Sequence, residues 1–372
     1  MSGLDLTAAP GDVAIELADD FDAINEAFYD RGWTDGLPIV PPTLERVEAM
    51  LRYCDRPSNV VLGQVAPRYG AATPMRVAAN AVMAGCRPEY FPVLLAAVEA
   101  LVAPEFNLYA LQTTTHQCAV LTIVNGPIGR EIGLNSRHNV FGPGWRANAT
   151  IGRAVRFVLL NIGGGRPGES DMATIGQPGK FTYCIAENED ANPWEPLHVE
   201  RGFDRDVTTV TLIGAEGPHN VNDPESRSAQ GLLTTIAGTM SVTGANHVYF
   251  AGEPLVVLCP EHAATIAREG LSKSDVKVFL HERARIALER FSTENVERQM
   301  RVKWPELFEG TADGVRIPLA RRPEDYVVVV AGGVGKHSAF IPTFGATRSP
   351  TRAIRLSNGS CARSVAEFAA RG

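Results

Sequence analysis

Residues able to do chemistry gather in four stretches of this 372-residue chain, each beside an apolar run that reads as a strand. In the first, His116 and Cys118 stand two residues apart just before the run 119–124. Strand alternation puts them on one face, where an imidazole could serve as base to a thiol nucleophile. A buried thiol beside a hydrogen-bonded histidine has the same spacing. In the second, 125–156, Arg146 and Asn148 lie at the start of a helix. The free N–H groups and partial positive charge there suit a carboxylate or phosphate, with Arg146 as a bidentate donor. The plainer alternative pairs Arg146 and Arg153 with surface acids. The third stretch, 171–198, is the densest. Lys180 precedes a strand at 181–186 that delivers Glu187 and Glu189, and His198 follows. Acids at the C-terminal end of a strand stand where α/β active sites collect. Glu187, Glu189 and His198 form either a general acid/base set or ligands for a divalent metal; a solvated acidic loop is the alternative. Glu195-x-x-His198 has the spacing of helical carboxylate metal sites, but Pro196 interrupts the helix this would need.

The fourth stretch runs from an apolar strand into Ala331-Gly332-Gly333-Val334-Gly335-Lys336-His337-Ser338. It resembles the deviant phosphate loop of ParA-type ATPases, whose core is also G-G-V-G-K. Ala331 stands where that loop has its leading Lys, and Val330 where it has its first Gly. Too little chain follows for a nucleotide-hydrolysing domain, so an ATPase is excluded. The remaining expectation is that Lys336, His337 and Ser338 bind an anionic group of a substrate, against the alternative of a tight turn with a solvated Lys336.

The elements that must position these groups follow from periodicity and punctuation. Helices are expected at 13–29, 43–53 (capped by Thr43), 74–84, 88–102, 147–161, 230–240, 260–269 and 272–291, the last opened by a capping box of Ser272 and Asp275. Strands are expected at 60–65, 119–124, 181–186, 207–213, 255–259 and 326–330. Apolar strands alternating with helices predict an α/β fold, with a mixed or parallel sheet or sheets, helices on both faces, and two closely packed lobes at 1–203 and 204–372. No internal repeat is evident.

Composition narrows the function. Apolar residues make up 45% and charged residues 21%, ordinary values for a folded globular chain. The net charge of -7, with its basic residues dispersed, argues against nucleic acid as a partner. The longest apolar run, 91–102, is broken by Glu99 and too short to span a bilayer, and 1–10 does not read as a secretory signal. Six cysteines without C-x-x-C spacing predict free thiols, no structural zinc site and a cytoplasmic location.

Five segments carry a resemblance: WTDGLPIVPPT at 33–43, NATIGRAVR at 148–156, ENEDANPWEPL at 187–197, PEHAATIAREGLSKSDVKVFL at 260–280 and AGGVGKHS at 331–338. Together they resemble a bacterial family loosely associated with thioredoxin-like or selenocysteine-containing proteins named for a U-G-S-C motif. Asn358-Gly359-Ser360-Cys361 echoes that motif with Asn in the selenocysteine place, at the other end of the chain. The resemblance implies an enzyme-like bacterial family and brings no activity with it. The residues themselves predict a hydrolase or lyase acting on a small anionic or amide-bearing molecule. Arg146, Asn148, Lys180 and Lys336 would hold the substrate; His116, Glu187 and His198 would move protons, and Cys118 would be the nucleophile. These loops are expected to line one cleft. A cysteine- or metal-dependent oxidoreductase and a non-catalytic ligand-binding or assembly protein are the alternatives. The cofactor is open, a divalent metal being one candidate, and a homo-oligomer is compatible with the composition.

Overall fold

The computed structural model describes residues 15–309 and 314–369. Eight strands build two four-stranded mixed sheets. They are β1 (Ala119–Asn125), β2 (Cys184–Ala186), β3 (Thr209–Ala215), β4 (His219–Asn222), β5 (Leu255–Leu258), β6 (Val327–Val330), β7 (His337–Ile341) and β8 (Thr351–Ala353). The first sheet has the order β8-β3-β1-β2, and the second β6-β5-β7-β4. In the first, β1 runs parallel to β2 and antiparallel to β3, and β3 is antiparallel to β8. In the second, β5 runs parallel to β6 and antiparallel to β7, and β7 is antiparallel to β4.

Every strand is therefore matched by the one four places on, except that β4 and β8 are exchanged between the sheets. The exchange passes through one crossing. Ala215 bridges Thr343, Glu216 N–H donates to the Pro342 carbonyl at 2.8 Å, and Phe344 N–H donates to the Gly214 carbonyl at 2.8 Å. The strand orders and directions of the two sheets thus correspond, although the sequence shows no repeat. The expected boundary at 203/204 is corrected for the same reason: β3 lies beyond it, yet pairs with β1 along all seven residues.

The alternating faces of the strands sort the core into three layers. Leu121, Ile123 and Ile213 meet Leu255, Val257, Val329 and Ile341 between the sheets. Val120, Val124, Val210 and Leu212 face the outer helices α1 (Pro74–Ala84), α2 (Phe91–Leu101) and α4 (Arg146–Phe157). Val256, Leu258, Val328 and Phe340 face α5 (Ala229–Met240), α6 (Pro260–Arg268) and α7 (Lys273–Arg283). The short α3 (Pro127–Glu131) follows β1 as α6 follows β5. The molecule is α/β, two mixed sheets face to face with helices over both outer faces.

Several expectations shift at their edges. The first helix runs Phe21–Asp30, and 13 and 14 lie outside the described residues. Thr43 precedes its helix without a side-chain capping bond, whereas the Ser272–Asp275 capping box forms as expected. The helix expected to reach 291 stops at Arg283, because Arg285–Ala287 pairs with Arg316–Pro318 as a small ribbon. The strand expected at 181–186 shortens to β2, and Pro178–Lys180 forms a turn of 3-10 helix before it. Among the described residues no single helix is long and apolar enough to cross a membrane.

Candidate functional site

The expected site residues divide between the two ends of the sandwich. At the N-terminal end of β1, His116 Nε2 meets Glu216 Oε1 at 2.8 Å. Cys118 is 2% exposed, and burial pushes its thiol up to about 12. It is held as a neutral thiol, which does not suit a nucleophile. Lys180 lies at this end too, its Nζ on both oxygens of Asp171 at 2.7 and 2.8 Å. Seven residues of β1 separate this group from Glu187, so the expected single cleft is corrected to two ends about 20 Å apart.

At the other end, Glu187 is buried at the tip of β2. Its carboxylate accepts from Asn125 Nδ2 at 2.6 Å, Asn192 Nδ2 at 2.8 Å, Leu197 N–H at 2.8 Å and Val330 N–H at 3.4 Å. Burial raises its pKa despite Lys273 and these donors, and with its lone pairs engaged it serves as a strut between the sheets. Glu189 caps α3, accepting from Gly126 N–H at 2.6 Å and Arg130 Nη1 at 3.0 Å. His198 is buried, with Nε2 on the Arg205 carbonyl at 3.3 Å, and burial lowers its pKa. Asn148 spends its amide on Asn135 and on the Cys184 carbonyl, and Arg146 Nε donates to the Gly85 carbonyl at 3.0 Å. A cavity of about 360 Å³ opens beside these groups, lined by Arg130, Asn135, Ser136, Arg137, Trp145 and Glu187. Among the described residues no group of three or more His, Cys, Asp or Glu is disposed to hold a metal.

The neighbouring strand end carries a group that the expected list omits. β5 ends at Leu258; Cys259 is the N-cap of α6, Pro260 its first residue and His262 its third. Proline fits there because its missing N–H has no intrahelical acceptor. Ser338, on β7, accepts from Cys259 N–H at 3.0 Å and lies 2.8 Å from His262 Nδ1. His262 Nε2 meets the Asp223 carbonyl at 3.3 Å, so Nε2 carries a proton and Nδ1 faces Ser338. Burial alone raises the thiol of Cys259, but hydrogen bonds from the His262 side chain and backbone and from Ser338 outweigh it, and the net shift is downward. His262 moves the opposite way: burial lowers it, and Cys259 and Asp223 more than compensate. Asp223 is itself drawn down to about 2, because the Thr235 hydroxyl and the Ser226 and Glu225 N–H groups outweigh its desolvation. A thiol at a helix N-terminus beside a protonatable imidazole is the arrangement that yields a thiolate.

The glycine-rich loop joins this thiol to the cavity. Ala331 N–H donates to the Leu258 carbonyl at 3.0 Å and Gly332 N–H to the Ser136 carbonyl at 2.9 Å, so successive residues bridge the strand that carries the thiol and the cavity wall. Gly332 and Gly335 hold φ of +104° and +143°, which a side chain would strain. Lys336 Nζ donates to the Pro224 carbonyl at 2.6 Å, and His337 Nδ1 meets Asn220 Oδ1 at 2.9 Å. His337 and Ser338 belong to β7 rather than to the loop. The Cys259–His262 pair had a sequence signal in Leu258-Cys259-Pro260-Glu261-His262, an apolar strand handing a thiol to a proline-started helix with His at its third position.

Comparison with family models, curated proteins and solved structures finds no match to this chain.

Proposed function

We propose that the protein is a cysteine-dependent hydrolase of a small amide-bearing or anionic molecule, with Cys259 as nucleophile and His262 as its acid–base partner. The observation that supports this reading best is geometric: a thiol at the N-cap of α6 and an imidazole in its first turn, the Cys259 N–H and His262 Nδ1 both meeting Ser338 Oγ, and the opposed directions of their pKa shifts agree with it. Thiolate attack on a carbonyl carbon forms the S–C bond and moves the carbonyl π electrons onto oxygen. The tetrahedral intermediate collapses as the C–N bond breaks, and His262 gives its Nδ1 proton to the departing nitrogen. Water, deprotonated by His262, then attacks the thioester, releasing the acid and restoring the thiolate. The first turn of α6 offers its partial positive charge to the transient oxyanion. Arg130 and Arg137, at the cavity, are paired with Glu189 and Asp190 at 3.0 Å each and would exchange those partners for the rest of an anionic substrate. The roles expected of His116, Glu187, His198 and Cys118 pass to this pair. A working thiolate also fits a reducing, cytoplasmic setting, in keeping with six free cysteines.

Cys259 is 3% exposed, so its reaction requires local opening around the start of α6. Alkylation of the native protein with iodoacetamide, followed over pH in a Cys361→Ser background, tests the reading. Cys259 should react first, with a midpoint below 9. If Cys259 stays unmodified while the protein remains folded, the nucleophile assignment is lost.

A further inference from the structure

Three buried groups meet at the first turn of α6, and the hydrogen atoms between them can be followed. Cys259, His262 and Ser338 are 3%, 2% and 4% exposed, so none turns to open solvent for another partner. Ser338 lies on β7 in register with Val221 of β4, and its neighbour Ala339 is in register with Val257 of β5. A side chain on a strand held from both sides keeps a fixed position.

The partners of each group set the direction of its hydrogen bonds. Cys259 N–H donates to Ser338 Oγ at 3.0 Å, and His262 Nδ1 lies 2.8 Å from the same oxygen. His262 Nε2 faces the Asp223 carbonyl at 3.3 Å, an acceptor only, so Nε2 keeps its proton in both states of the ring. In the neutral ring Nδ1 is a bare lone pair, and the Ser338 O–H points at it. In the charged ring Nδ1–H points at Oγ instead. The hydroxyl hydrogen must then turn away, and the acceptor at hand is the Cys259 sulfur, to which Ser338 donates. The charged groups acting on the pair are each other and the Asp223 carboxylate, which is drawn down to about 2 and stays ionised at neutral pH.

We infer that Ser338 is the proton relay between Cys259 and His262, its hydroxyl reversing direction as the proton moves. The inference rests on the nucleophile reading above and adds the route of its proton. The S–H bond breaks and its proton binds Oγ, while the former Oγ–H proton binds Nδ1. A thiolate, a hydroxyl and an imidazolium replace a thiol, a hydroxyl and an imidazole, and no electron is gained or lost. The new O–H faces the thiolate and steadies it. The same path in reverse carries the His262 proton back toward the sulfur, where the departing nitrogen stands.

The test follows iodoacetamide alkylation of Cys259 over pH in the Cys361→Ser background, with and without Ser338→Ala. The variant's midpoint should rise by about one pH unit and its rate near pH 7 should fall about tenfold, as expected for one lost hydrogen bond to a charged group. In case the variant fails to fold, nitrogen NMR of the wild-type histidines reads the same arrangement. The neutral His262 ring should carry its proton on Nε2, and the second proton should arrive at Nδ1. A neutral ring protonated at Nδ1 overturns the relay. A reactive Cys259 whose midpoint is unchanged in Ser338→Ala overturns it too, and means that sulfur and imidazole exchange the proton directly. A wild-type Cys259 that does not react removes the nucleophile reading, and the relay with it.

Discussion

The two sheets end their first strands in the same way and arm them differently. β1 passes through Gly126 into Pro127 and α3, and β5 passes through Cys259 into Pro260 and α6. A hydroxyl from the neighbouring strand region supports each turn, Thr208 accepting from Ile128 N–H and Ser338 from Cys259 N–H. At the first end, carboxylates close the turn: Glu189 caps Gly126, and Glu187 is saturated by four donors. At the second end, a thiol and an imidazole stand in the first turn instead, the Cys259 N–H and His262 Nδ1 both meeting Ser338 Oγ. Gly126 has φ +94° and lies 2.5 Å, measured from an added Cβ, from the Val207 carbonyl, so the first turn has no room for the thiol. The comparison teaches that one backbone device can serve as a strut in one sheet and hold the proposed reactive pair in the other.

The sharpest way to break that comparison is to delete each key side chain. Glu187→Ala strips the Leu197 and Val330 N–H groups of this acceptor and leaves the Asn125 and Asn192 amides only their longer bonds to Glu189 and Glu195, and should cost roughly 4 kcal/mol in urea unfolding. Cys259→Ala removes one sulfur and should cost about 1 kcal/mol. Equal losses would make Cys259 a structural residue too.

The buried histidines extend the contrast to the opposite end. His247, next to the strand crossing, is drawn down to about 4 by burial, which outweighs the pull of Glu216. Its folded value lies below its unfolded 6.5, so the stability it contributes is present above 6.5 and is lost as pH falls toward 4. At about 1.36 kcal/mol per pH unit this amounts to about 3 kcal/mol. His247→Gln should flatten that limb of the pH–stability curve, and an unchanged limb would refute the assignment. His262 has the opposite sign: its folded value is raised, so its contribution is complete below 6.5 and fades as pH rises through the raised value. Its removal should be read in the thiol. With His262→Ala, the imidazole's hydrogen bond and charge are lost while burial still raises the Cys259 thiol against the remaining backbone and Ser338 bonds, and its alkylation rate at pH 7.5 should fall about tenfold or more. A rate within a factor of two of wild type would break the pair.

How much of this was legible in the sequence depends on what each residue type encodes locally. The buried strands β1, β5 and β6 are continuous apolar runs and show themselves. β4, β7 and β8 do not: His219–Asn222 and Thr351–Ala353 are short and polar, and the Gly-rich tract before β7 reads as a loop that continues through His337 and Ser338. The pairings of these strands are long-range, and neither propensity nor period records them. The glycine loop and Lys336, His337 and Ser338 were visible because Gly and Lys are uncommon neighbours of a buried strand. Cys259 was hidden because a cysteine closing an apolar strand looks like core, and only the helix start behind it gives it another meaning. His116 and Glu187 fell to opposite ends because strand-end position in sequence does not say which end of the sheet a residue occupies.

The smallest effect concerns Lys336. Its ammonium reaches the Pro224 carbonyl, one residue beyond the Asp223 carbonyl that holds His262. It is an exposed side chain in a loop, and Lys336→Met should change stability by less than about 0.5 kcal/mol. Its charge, though, bears on what approaches Cys259. An anionic reagent gains from a nearby cation and a neutral one does not. Iodoacetate and iodoacetamide carry the same leaving group and differ in charge. Their rate ratio on native Cys259 should therefore fall about threefold in Lys336→Met at low ionic strength, and the wild-type and variant ratios should converge near 1 M salt, where screening is nearly complete. A ratio unchanged by the substitution would return Lys336 to a tether for Pro224 alone. A drop shared equally by both reagents would mean that the side chain shapes the loop rather than the field.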